Sequence, residues 1–535
     1  MKTRNALQYA RYLVILLLLI IELAQPAFAR CTVQTSAHQP AEQTHDPFGI
    51  LFSSPNKCPQ DVFALRQLLQ SSGLTLETTL VANRGFHNPS QGSFSLFEMA
   101  SGMLQSTDTH LLVNSGDVFF GHFTAVNAED VLIADQNTGK GSLMIEAFAW
   151  DPEKELFNFY ELRGEGQQGQ WFYRGDSADI FADNQLLHRQ PDVSAPQFGT
   201  RLRCSGCHGS GGPIMKELSA PYNDWWQAER GLDFGGRKMD ESLQELLKTL
   251  VPADHLAKSV VAGVKKLNQS KFFQHDTSLS LQEQLRPLFC PVEVNFMSDS
   301  VPNEKQHPEI KVPSQFFVDS RMLAISTPRD VTISRPHYKA ALIGMGSMFP
   351  ETSLSDADHA WLTPVKAISD QLAVERLIKK GIIKRKFMFD VLDVDRENPV
   401  FSSVRCTLLP LIPEQETPDW DRVFLKNLQS SQNPGAKALI ANLINPEHDV
   451  AFYKEKTAAF LAQCQLKLRD IEQVNMMYRL LAQRRMELRA SEISKNPLGQ
   501  ILEPGFRVIF PENEPVSFPG ELKLTSTCEV VASER

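Results

Sequence analysis

The chain has no second close cysteine pair: of its eight cysteines only Cys204 and Cys207 stand near each other, and Cys31, Cys58, Cys290, Cys406, Cys464 and Cys528 are isolated. A structural zinc site with paired C-x-x-C knuckles is therefore not encoded. There is no internal repeat and no low-complexity tract, which excludes solenoids and linker-like chains. No glycine-rich nucleotide fingerprint follows any strand-like run. Basic residues do not dominate, since Lys and Arg number 54 against 63 Asp and Glu, for a net charge of −9. An acidic chain of this kind argues against nucleic acid and anionic membranes as partners. Beyond residue 21 no stretch is apolar enough to span a bilayer, so no integral membrane span is expected after the leader.

That leader is the one long apolar feature. Lys2, Arg4 and Arg11 precede an apolar run from Tyr12 to Ile21, and small residues follow at Ala27 and Ala29. The pattern reads as a secretory signal peptide over residues 1–29, cleaved after Ala29, and predicts a periplasmic protein. The apolar run is shorter than the ~20 residues of a spanning helix, and Arg30 before Cys31 does not suit lipid attachment. An oxidising compartment permits the six isolated cysteines to form three disulfides. Cys31 with Cys58 is the most local pairing; the other four stay unassigned.

Length alone suggests three or four domains at ~150 residues each. Residues 30–190 read as an α+β domain of unknown role. "PQDVFALRQLLQ" has helical spacing, with Val62, Phe63, Leu65, Leu68 and Leu69 on one side. Strand-like runs follow, and Asp151-Pro152-Glu153-Lys154 between two of them looks like a hairpin turn. An antiparallel meander is expected. Residues 189–199, "RQPDVSAPQFG", read as a linker. After Tyr222 "DESLQELLKTLV", "ADHLAKSVVAGVKKL" and "SLSLQEQLRPLF" are helical, and a proline-marked stretch over 301–336 suggests another boundary. Between Pro446 and Pro497 there is neither glycine nor proline, and Phe460, Leu461, Cys464, Leu468, Ile471, Met477 and Leu481 recur at helical intervals. One long helix or a helical hairpin follows. The closing segment, 501–535, looks extended. Asp390, Asp393, Asp395 and Glu397 lack the glycine and spacing of a calcium loop and read as a solvated turn.

The chemistry concentrates in "RLRCSGCHGSGGP", residues 201–213. In a helical turn, residues three apart share a face, so the thiols of Cys204 and Cys207 can reach two neighbouring vinyl groups of one porphyrin edge. His208 then points its imidazole at the iron. C-x-x-C-H is the attachment signature of haem c, and glycines let backbone lie against a flat macrocycle. The stretch resembles the c-type cytochromes, in which C-x-G-C-H-G with later glycines and a Gly-Pro pair is frequent. Here those are Gly206, Gly209, Gly211, Gly212 and Pro213.

The resemblance covers the motif and its immediate surroundings. It implies one covalent haem c, His208 as the proximal iron ligand, the carbonyl of Pro213 accepting a hydrogen bond from His208, and a redox partner protein. The expected architecture is multidomain: the N-terminal α+β meander, a mostly α-helical cytochrome c-like haem domain over 191–330, a helical domain over 331–500, and the extended end, of which the resemblance bears on the haem domain alone. The distal iron ligand stays open between Met215, seven residues after His208, and Met348, in a stretch similar to the distal part of small cytochromes. Met345, Met239, His255 and Met297 are further candidates. Arg201 and Arg203 could pair with propionates, and Tyr222, Trp225 and Trp226 could wall a haem from water. Electron transfer is the leading function. A haem peroxidase, which generally carries two such motifs, and a thiol-disulfide oxidoreductase, which needs a strand before its C-x-x-C, are the alternatives.

Overall fold

The computed structural model describes residues 31–54, 58–82, 94–106, 109–123, 144–165, 168–182, 204, 208–214, 241–275, 279–290, 292–297, 308–323, 331–345, 361, 363–492 and 521–533. The expected leader and the linker at 189–199 lie outside them.

A seven-stranded sheet organises the N-terminal part. Its strands are β1 (Val33–Gln34), β2 (Leu74–Ala82), β3 (Phe94–Gln105), β4 (His110–Phe123), β5 (Met144–Asp151), β6 (Leu156–Glu165) and β7 (Gln168–Asp176), in the order β1-β7-β6-β5-β4-β3-β2. From β2 to β7 each strand pairs antiparallel with the next. The sheet is nevertheless mixed, not the simple antiparallel meander the sequence suggests, because β1 joins β7 in parallel with Val33 opposite Trp171. The cause is local. Cys31 is bonded to Cys58, the expected pairing, and the Trp171 indole donates to the Pro59 carbonyl at 2.9 Å, so the chain before β1 is held against the β7 edge. The β5–β6 turn forms as expected, with Asp151 Oδ1 accepting the amides of Glu153 and Lys154.

Period-two alternation gives the sheet two different faces. Ile145, Ala147 and Ala149 of β5, with Tyr160 and Leu162 of β6, face helices α1 (Pro47–Ser53) and α2 (Val62–Ser71). Asp46 and Asp61 cap these helices through side-chain oxygens, and Val62, Leu65 and Leu69 of α2 are buried against the sheet. The opposite face is aromatic: Phe97, Phe119, Phe148, Trp150, Phe157 and Phe159. It is covered by α3 (Ala253–Asn268), whose Leu256, Ala257, Val260, Val264 and Leu267 recur at helical spacing. Burying each such side chain is worth about 1.5–3 kcal/mol, so sheet and α3 share one core.

The C-terminal part is mainly helical. α4 (Leu281–Phe289) opens with a Ser280/Glu283 capping box. β8 (Val294–Met297) pairs with β11 (Thr363–Lys366), and β9 (Glu309–Val312) pairs with β10 (Val331–Ser334), both antiparallel. α5 (Arg335–Met345) follows β10. Helix α6 (Ile368–Lys379) packs on α3 and α4, joining this part to the sheet layer. α7 (Arg385–Leu392), α8 (Trp420–Ser430) and α9 (Pro434–Ile444) contribute to one further core with α4 and α6.

The glycine- and proline-free stretch forms a hairpin of α10 (Val450–Lys467) and α11 (Ile471–Glu492). Phe460, Leu461, Cys464, Leu468, Met477 and Leu481 are buried there, whereas Ile471 is exposed. The described end of the chain is a small antiparallel pair, β12 (Leu522–Leu524) with β13 (Val530–Ala532), pinned by Cys464–Cys528; Cys290–Cys406 is the third disulfide. The acidic stretch at 390–397 is not a solvated turn. Asp390 is buried at the end of α7, accepting from Lys386 and the Tyr453 hydroxyl, and Asp393 accepts from Lys456 and Arg396. Among the described residues no helix is long and apolar enough to cross a membrane.

Candidate functional site

The motif loop sits against the aromatic face of the sheet. The His208 amide donates to the Cys204 carbonyl at 2.9 Å, one helical turn between the first cysteine and the histidine. A tighter turn follows, from the Gly211 amide to the His208 carbonyl at 2.8 Å. Gly211 is obligatory there. Its φ is +73°, and a Cβ would lie 2.3 Å from the Ser177 carbonyl oxygen.

His208 is only 7% exposed. Its ring meets Phe148 of β5 and Phe159 of β6 edge-on, each at 5.2 Å between centroids. These two phenylalanines are direct cross-strand partners, so β5–β6 pairing fixes both walls at once. His208 Nδ1 lies 2.7 Å from the Gly212 carbonyl oxygen. A carbonyl only accepts, so Nδ1 carries the proton and the neutral ring has its lone pair on Nε2. That is how metal-bound imidazoles are oriented. The acceptor is Gly212, one residue before the Pro213 that the resemblance implies. Pro213 is buried and packs instead: a Cβ on Gly263 of α3 would meet both its Cγ and the Gly116 carbonyl oxygen of β4 at 2.8 Å.

A buried carboxylate holds the loop from its far side. Glu293, just before β8, accepts from the Ser210 amide (3.0 Å) and the Ser210 hydroxyl (2.7 Å) through Oε2, and from the Ser369 hydroxyl (3.1 Å) through Oε1. Ser369 is in the first turn of α6, where the helix dipole favours a negative partner. Asp370 beside it accepts the Val292 amide at 3.1 Å, and burial, partly offset by Lys366, pushes its carboxyl up to about 7.

Cys204 is likewise 7% exposed and belongs to the apolar cluster of the aromatic face. The three disulfides use the six cysteines outside the motif, as cysteine counting suggests. Cys207, Met215 and Met348 lie outside the described residues, as do Met239, Arg201, Arg203, Tyr222, Trp225 and Trp226. His255 is described and is not at the site. It is 41% exposed and pairs at 3.3 Å with Glu77 of β2, three strand spacings from β5, or about 14 Å at 4.8 Å per strand.

Phe148, Phe159, Glu293 and Ser369 are the site residues that sequence reading passes over, and Gly212, noted there only as a motif glycine, supplies the acceptor. One signal exists for Glu293, a lone charge inside "FCPVEVNF". Compared with known protein families, curated proteins and solved structures, the chain finds no match.

Proposed function

We propose that the chain is an exported c-type cytochrome carrying one covalent haem, held by thioether bonds from Cys204 and Cys207 with His208 as the proximal ligand, and that it exchanges single electrons with a redox partner protein. The observation that carries the reading is the buried His208, one helical turn from Cys204, with Nδ1 bound to the Gly212 carbonyl. Haem c, when bound, supplies a one-electron iron couple. The chain's own residues do the rest. The Gly212 carbonyl fixes the imidazole tautomer, Phe148 and Phe159 set the ring plane and exclude water, and Glu293 keeps the Ser210 turn from opening. The three disulfides support an oxidising compartment.

The distal ligand in this reading is Met215 or Met348. A thiol-disulfide oxidoreductase is disfavoured because its attacking thiolate must be accessible, whereas Cys204 is buried among apolar side chains. The single C-x-x-C-H favours electron transfer over a two-haem peroxidase.

The test is expression in cells that attach haem c. The dithionite-reduced protein should display a c-type α-band and a mass raised by one haem, and Cys204→Ser with Cys207→Ser should abolish both. His208→Met should keep the attached mass but change the spectrum. Colourless wild-type protein of bare polypeptide mass rules the reading out.

A further inference from the structure

A cleft opens between α3, α4 and α6 on the side of the motif loop away from the sheet. It holds about 750 Å³ of empty space, part of it open solvent. Ser210 and Gly212 line one end, and Leu267, Leu279 and Leu377 give much of the remaining lining an apolar character.

Two cations face this space. Arg376 and Lys380 lie four residues apart, so they sit side by side, an arrangement that is unfavourable unless something negative bridges it. Nothing does. Among the described residues no carboxylate forms an ion pair with either. Burial alone lowers Arg376 to about 10, and burial followed by repulsion from Arg376, partly offset by attraction to Glu416, lowers Lys380. The acids that share the cleft have their own partners: Glu283 closes the capping box with Ser280, and Asp370 holds the Val292 amide.

Arg376 is also aimed. Its guanidinium lies 5.0 Å over the Phe273 ring, and Nη1 donates to Asn268 Oδ1, which together hold the plane of the fork. One of its five N–H groups is spent on Asn268, and the others suit two parallel bonds to a planar carboxylate. Lys380 adds a point charge beside it, with one proton donated to the Gln274 carbonyl at 2.8 Å.

We infer that this cleft binds a small organic carboxylate with an apolar body, its headgroup forked by Arg376 and flanked by Lys380, its body against Leu267, Leu279 and Leu377. The inference does not depend on haem, because every residue it uses lies outside Cys204, Cys207 and His208.

The test is calorimetric titration of the full chain with octanoate, with octanol as the uncharged isostere and inorganic phosphate as an anion without an apolar body. Octanoate should bind one to one. Octanol and phosphate should each bind at least about tenfold more weakly, since each lacks half of the recognition. Arg376→Gln should weaken octanoate at least about thirtyfold and Lys380→Gln about threefold to tenfold, as expected when one member of a partly buried charge pair is removed. Equal binding of octanol, or phosphate binding as tightly as octanoate, overturns the ligand class. No binding of octanoate overturns the site. Lys380 is exposed and outside the core, so if Arg376→Gln does not fold, unchanged octanoate affinity in Lys380→Gln alone overturns the proposal.

Discussion

Removing the carboxylate of Glu293 should loosen the motif loop in graded steps. Its Oε2 accepts two bonds from Ser210 and its Oε1 accepts one from Ser369. In Glu293→Gln the amide oxygen can still face Ser210, while the amide nitrogen meets the Ser369 hydroxyl, which can turn to accept. At Ser210 the variant loses charge assistance, worth about 1 kcal/mol per bond, or about 2 kcal/mol. Glu293→Ala loses every one of these bonds and leaves the Ser210 amide without this acceptor, which adds a desolvation cost for a total of about 4 kcal/mol.

Amide hydrogen exchange reads this loop directly, since it reports local opening that global unfolding can miss. At 1.4 kcal/mol per factor of ten, exchange at Ser210 should accelerate about thirtyfold in Glu293→Gln and about a thousandfold in Glu293→Ala. Threefold or less in both variants, or equal acceleration in the two, would refute the reasoning.

Other changes follow from the same geometry. Gly211→Ala forces a left-handed alanine and drives a Cβ to 2.3 Å from the Ser177 carbonyl oxygen; it should cost about 3 kcal/mol in urea unfolding. Replacing Cys290 and Cys406 together with serine frees a loop of 116 residues, a loss of about 5 kcal/mol on the chain-entropy account, readable as a lowered Tm. Asp370 titrates at about 7 in the fold against 3.8 as a free carboxyl. The fold therefore binds a proton that the unfolded chain has lost, so this contribution is fully present below about pH 4 and declines as pH rises through 7. Asp370→Asn should flatten that decline in urea midpoints taken from pH 4.5 to 7.5; an unchanged slope counts against the assignment.

Local patterns were legible in the sequence and distant pairings were not. The helix at Val62–Ser71, the Asp151 turn, the α10–α11 hairpin and the Cys31–Cys58 bond all arise from neighbours in the chain. β1 escaped because two residues carry no period, and its place follows from where Cys58 and Pro59 hold the chain. The carbonyl that receives His208 could not be chosen from composition, because every residue has one and only the φ of Gly211 decides which faces the ring. Glu293 lies 83 residues from Ser210, and no sequence period links them. The acidic run at 390–397 looked wet because, besides the local Lys386 and Arg396, the Tyr453 hydroxyl and the Lys456 ammonium that help bury it arrive from a helix 63 residues away.

The disulfides have a consequence for how the chain matures. Read from the N-terminus, every one joins a cysteine to the next in line once the 204/207 pair is set aside: 31 with 58, 290 with 406, 464 with 528. A chain oxidised in the order its thiols emerge into an exporting compartment thus reaches its native bonds without reshuffling. By the same rule Cys204 and Cys207 are each other's default match. Attaching a porphyrin would then require a reductant that opens this one bond and spares the other three, so supply of electrons, not isomerase, would set the yield of coloured protein.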